Sequence, residues 1–182
     1  MFFGGMSQTW ISEAMALYES DSTILFINPV AGPPRSDGTL VGQNYKLYQS
    51  KPYFFQFNGM STRLFFVDKK RLFKTAINKI ISHKLGEFVR AIYRNNPPYR
   101  LPEDILSDYL VENKFIRVDF LGTNNGLWSL HPPYRTAQFY QDLPKIISKI
   151  ERNEVPESQK GFYDIVDELV DWSEARLRIR NT

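Results

Sequence analysis

The chain has 182 residues, a formal charge of only +3 and no cysteine, which excludes a disulfide scaffold and a thiolate metal site and permits a reducing, cytoplasmic setting. Its length suits a single domain, residues 1–182, with a substantial core. Its apolar (42%) and charged (24%) shares are those of a globular protein, and no apolar run reaches the roughly 18–20 residues that span a bilayer.

Met1-Phe2-Phe3-Gly4-Gly5 reads as a strand end or tight loop, in which the two glycines allow positive φ or a close backbone approach to a ligand. Ser7 is a candidate N-cap, and Trp10, Ile11, Ala14, Met15, Leu17 and Tyr18 keep a helical period to Ser20. A helix opening after a glycine pair could offer N–H groups to an anion; a plain turn into an amphipathic helix fits equally. Thr23 to Asn28 is a continuous apolar run suited to a strand buried on both faces. Pro29 to Gly42 is a long loop with a turn at Asp37-Gly38, of the kind that serves as a lid or acceptor-binding loop. Arg35 within it reads as a solvated surface residue, or else as a partner for an anion.

Tyr53 to Phe57 and Leu64 to Val67 read as strands joined by the polar connection Asn58-Gly59-Met60-Ser61-Thr62-Arg63. Asp68 caps an expected long helix whose stripe runs from Leu72 through Ile92, opposite Lys69, Lys70, Arg71, Lys74, Lys79 and Lys84. Such a basic face is ordinarily solvated, although it also suits an anionic membrane surface. His83 on it reads as a surface histidine, and Asn95-Asn96-Pro97-Pro98 ends the helix. Pro102 opens the next helix with Glu103 and Asp104 in its first turn and Ile105, Leu106, Tyr109 and Leu110 as its buried stripe. Phe115 to Leu121 is a strand, and Leu127 to Arg135 an irregular loop held by Trp128 and Pro132-Pro133. A short helix is expected from Pro144 to about Arg152. A last one is expected from Glu157 or Gly161 through Trp172, with Arg176 to Arg180 as a frayed basic tail. The pattern predicts an α/β fold, a mixed sheet flanked by helices.

Two features could carry chemistry. A carboxylate at Glu103-Asp104 could act as a general base, against the common alternative of complementing a helix dipole. His131 could ligate a divalent metal, against the alternative of a packed loop histidine with no second histidine or cysteine nearby. No phosphate loop, GxGxxG, HExxH or GxSxG motif is present. Basic and aromatic residues are interleaved, as in Tyr93-Arg94 and Tyr99-Arg100, but the charge is dispersed, which argues against nucleic-acid binding. The high aromatic share (15%) is read as packing before stacking on a ligand.

The order of these segments resembles the C-terminal half of a GT-A-fold glycosyltransferase of the broad family-2-like kind. Asn58 to Asp68 is similar to that family's Gly-containing segment and following strand, Pro102 to Leu110 to its x-E-D motif and helix, and Phe115 to Leu121 to the next strand. His131 stands where the family's late metal-ligating histidine would stand. The family's D-x-D motif and first βαβ nucleotide-binding unit have no counterpart, so the chain looks like a fragment beginning just after D-x-D, inactive alone and with an exposed sheet edge inclined to self-association.

The resemblance implies a partial GT-A fold and transfer of a sugar from a nucleotide-sugar donor to a hydroxyl of a glycan, lipid or protein acceptor. It implies Asp104 as base, Glu103 in support, Gly59 and Met60 at the donor, Trp128 stacked on a sugar ring and His131 on Mg²⁺ or Mn²⁺. A cytoplasmic location, with peripheral membrane contact, goes with it. The alternative is a non-catalytic α/β module that binds a partner or an anionic membrane through its basic helix.

Overall fold

The computed structural model describes residues 1–61, 64–74, 89, 92–93 and 102–180. Its strands are β1 (Phe2–Gly4), β2 (Ile24–Ala31), β3 (Lys46–Leu47), β4 (Phe54–Phe57), β5 (Phe66–Val67), β6 (Ile116–Phe120) and β7 (Trp128–Leu130). Its helices are α1 (Trp10–Ser20), α2 (Lys69–Lys74), α3 (Pro102–Glu112), α4 (Ala137–Glu151) and α5 (Ser173–Arg180). The protein is α/β, with a mixed open sheet flanked by helices. The strand order is β1-β7-β2-β6-β4-β3, with β5 also on β2. β7 runs parallel to β2 and antiparallel to β1, while β5 is antiparallel to β2. Every residue of β2 is buried, the apolar run Ile24 to Ile27 and the polar Asn28 alike. No helix among the described residues is long and apolar enough to cross a membrane.

The chain divides into two compact units. One comprises Met1–Glu13, Pro29–Phe55 and Asp119–Thr182; the other comprises Ala14–Asn28 and Gln56–Val118. In the first, aromatic side chains do the packing. Trp10 stacks on Phe120 at 4.9 Å between ring centres, Phe54 stacks on Phe120 at 5.4 Å, and the Trp10 indole N–H donates to the Phe120 carbonyl. Gly4 is required because the Trp128 ring lies directly over it and would collide with any Cβ. The close approach expected at Gly4 is thus made by the protein's own indole. Arg35 is engaged by Asp37, and that ion pair, with Thr39, holds the Asp37 carboxyl well below its usual range.

Several boundaries differ from expectation. The first helix starts at Trp10, while Ser7 hydrogen-bonds the Thr9 hydroxyl outside it. Trp128–Leu130 is a strand, not an irregular loop; three residues ahead of Pro132-Pro133 are too few to show alternation. Helix α4 begins seven residues before Pro144, which lies inside it. The Thr136 hydroxyl accepts the Phe139 N–H at 3.1 Å and so supplies the N-cap that starts the helix. Residues 161–172 are not helical. The fully buried Gln159 side chain donates to the Phe162 and Asp164 carbonyls and accepts the Val166 N–H, replacing helical hydrogen bonds with its own. The basic tail is helix α5, tied down by the Arg176–Asp167 pair and braced along its own length by Arg178–Glu174.

In the second unit Leu25, Phe26, Met60, Tyr109 and Leu110 form a buried cluster, flanked by Val67, Leu72, Leu106 and Phe115. Asp68 caps α2 as expected, its Oδ1 accepting from the N–H groups of Lys70 and Arg71. The expected continuation of that helix over residues 75–88, with His83, lies outside the described residues. The Tyr18 hydroxyl donates to the carbonyls of Leu25 and Phe66, and burial pushes its pKa far above the ordinary phenol range. The group's folded pKa is raised, so its stabilisation is whole below the unfolded value near ~10 and is lost as pH climbs toward the folded value. Stability should therefore fall steeply above about pH 10, and a Tyr18→Phe variant should show a shallower fall. Denaturant midpoints measured across alkaline pH check this.

Candidate functional site

Within the second unit the structure joins two of the segments singled out in the sequence. Helix α3 starts at Pro102, with Glu103 half-buried and Asp104 exposed in its first turn, where the helix dipole favours both charges. One turn on, the Ser107 hydroxyl donates to the Glu103 carbonyl at 2.6 Å and accepts the Met60 N–H at 2.8 Å. The Gly-containing connection is thereby fastened to the helix that carries Glu103-Asp104. At Gly59 the carbonyl accepts from Arg117 Nη1 at 2.9 Å, and that guanidinium lies over the Phe57 ring at 4.0 Å. Arg117 is itself buried on β6. Asn28, buried at the middle of β2, donates from Nδ2 to the Ser61 carbonyl at 3.3 Å. Three successive residues, Gly59 to Ser61, are thus held by side chains from β6, α3 and β2 in turn.

Gly59 and Met60 therefore share a neighbourhood with Glu103 and Asp104. The Met60 side chain is in the apolar cluster, and its N–H is taken by Ser107. Ser107, Arg117 and Asn28 were not singled out in the sequence as site residues. A serine four residues after a first-turn glutamate is the usual back-bonding arrangement, and nothing in the pattern says that the same hydroxyl also takes a distant N–H.

Trp128 and His131 belong to the first unit. The Trp128 indole is buried over Gly4, and stacking on a sugar would require that face to be uncovered. His131 follows β7 and is half-buried. Its Nδ1 lies 3.2 Å from Asp164 Oδ1, and its ring stacks on Tyr163 at 5.3 Å with planes 9° apart. The backbones lock as well: His131 N–H donates to the Tyr163 carbonyl at 3.0 Å, and Ile165 N–H to the His131 carbonyl at 2.9 Å. An imidazole with a carboxylate on one nitrogen has the donor chemistry of a metal-ligating histidine. Among the described residues no group of three or more such ligands gathers around it.

No protein-family model matches the chain, and searches of curated proteins and of solved structures find no match either.

Proposed function

We propose that this chain carries part of a GT-A-type catalytic domain, in which a sugar passes from a nucleotide-activated donor to an acceptor hydroxyl. The reading is supported above all by the Ser107 bridge, which fastens the Gly59-Met60 segment to the helix of Glu103 and Asp104. Those are two of the segments on which the resemblance rests, and a donor-binding loop and a base must be held together for transfer to occur. Asp104, exposed in the first turn of α3, takes the proton of the acceptor hydroxyl as it attacks the donor's anomeric carbon. Glu103 borders the acceptor. The backbone at Gly59 and Met60 faces the donor, its geometry set by Ser107 and Arg117. A Mg²⁺ or Mn²⁺ requirement belongs to the same proposal, with His131, in the first unit, as one ligand.

The test is Asp104→Asn in the intact gene product, assayed against a panel of nucleotide sugars. Transfer should fall at least about 100-fold while nucleotide-sugar binding persists. Asp108→Asn, one turn further along the same helix, should retain transfer. Near-normal turnover in Asp104→Asn would remove it from the role of base.

A further inference from the structure

The geometry points to Asp164 as the residue that positions His131. We infer that it holds the imidazole in the Nδ1–H tautomer, so that the Nε2 lone pair is the atom offered to a ligand. Three observations carry this. First, Asp164 Oδ1 lies 3.2 Å from His131 Nδ1, and a neutral imidazole meets a carboxylate there only by donating from Nδ1–H. Second, the ring cannot readily turn to exchange its nitrogens, because Tyr163 is stacked face to face on it at 5.3 Å. Third, the carboxylate is delivered by a backbone held at the Asp164 carbonyl and on both polar groups of Ile165. Gln159, fully buried, holds the Asp164 carbonyl at 3.0 Å. Ile165 pairs with the His131 carbonyl, and the Trp172 indole N–H holds the Ile165 carbonyl at 2.8 Å. A half-exposed ion pair needs none of this support to exist. A carboxylate meant to set a tautomer needs all of it, since a small displacement would lose the hydrogen bond.

The use of Nε2 as a ligand for Mg²⁺ or Mn²⁺ rests on the proposed function; the tautomer does not. The two are separated by one set of measurements on the full chain labelled with ¹⁵N-histidine. The chain has two histidines, so His83→Gln leaves the imidazole of His131 alone in the spectrum. At about pH 9, above the ordinary imidazole range near ~6.5, Nδ1 should show the protonated and Nε2 the unprotonated ¹⁵N shift. Asp164→Ala should move the population toward the Nε2–H form that an unconstrained imidazole prefers. Asp164→Asn should keep Nδ1–H, because its amide oxygen still accepts. Nε2–H in the parent protein overturns the assignment whatever the variants do, and so does an Asp164→Ala spectrum identical to the parent's. Added MnCl₂ should broaden the His131 signals, and Asp164→Ala should weaken that effect about 10- to 100-fold in concentration. Nδ1–H without any Mn²⁺ broadening overturns the cation role of His131 and leaves Asp164 as its positioning residue.

Discussion

Replacing Trp172 by alanine should cost about 3–5 kcal/mol of stability, the range for emptying a buried aromatic site. The side chain is 1% exposed, the largest of the fully buried ones. It packs at 5.5 Å from Phe139, the residue whose N–H takes the Thr136 cap of α4, and at 5.7 Å from Tyr134. Its indole N–H also donates to the Ile165 carbonyl. Alanine thus opens a cavity beside α4 and strands a carbonyl in the segment that carries Asp164. Phenylalanine should separate these contributions. It restores most of the apolar volume but cannot donate, leaving a deficit of about 1–3 kcal/mol for the unpaired carbonyl. For a chain of this size the alanine loss corresponds to a fall in Tm of about 6–20 °C. Thermal and urea unfolding of the three proteins check this. Equal losses in Trp172→Phe and Trp172→Ala would show that the hydrogen bond, not the volume, is what Trp172 supplies.

The neighbouring segments show where sequence patterns reach and where they stop. Ile24 to Ile27 announces a buried strand because every side chain is apolar, as a strand covered on both faces requires. Helix α3 is equally legible: Pro102 and two acids open it, and Tyr109 and Leu110 bury its inner face. Phe162, Ile165, Val166, Leu169 and Val170 also repeat at helical spacing, yet they lie on an irregular segment that closes in a turn at Val166. The difference is one side chain, Gln159, whose amide meets backbone groups that a helix would have paired internally. Periodicity records which positions are apolar and is blind to who satisfies the backbone. Pro144 misleads in the opposite direction. A proline is a fair helix start, but the cap at Thr136 lies eight residues earlier, and α4 continues through the proline.

The candidate residues of the two units divide in the same way. Glu103, Asp104, Gly59 and His131 stand out by type and order. Their partners Ser107, Arg117 and Asp164 come from distant positions or carry no local signature.

Replacing Arg71 by alanine should cost about 2–4 kcal/mol, an effect out of proportion to a helix-surface arginine. Arg71 opens on α2, but its guanidinium reaches 50 residues back along the chain. Nη1 donates to the carbonyls of Asp21 and Ile24 at 2.9 Å each, and Nη2 donates to the Tyr18 carbonyl. Nε is 3.2 Å from Asp68 Oδ2, and the plane lies over the Tyr18 ring at 5.3 Å. Tyr18 is in the last turn of α1, whose carbonyls have no intrahelical partners, and Ile24 begins β2. One planar cation therefore closes the C-terminus of a helix and sets the turn into the buried strand. Its charge also has the sign that the helix terminus favours. The cation is part-buried, so solvent replaces its bonds only in part when it is removed.

Arg71→Lys keeps the charge but not the fork, and an ammonium cannot reach three carbonyls and a carboxylate in one plane. Lysine should recover less than half of the loss. If the contribution were only charge at a helix end, lysine would recover nearly all of it, and added salt would erase the difference between the parent and alanine. Urea unfolding of the parent, Arg71→Lys and Arg71→Ala at low and high salt decides between the two. Hydrogen exchange localises the effect: faster exchange should centre on Ile24, whose N–H donates to the Asp21 carbonyl at 3.4 Å, and on Asp21, whose N–H donates to that of Leu17 at 3.1 Å. Both amides border the carbonyls that Arg71 holds, so a purely electrostatic loss, spread over the helix, would leave them no faster than their neighbours.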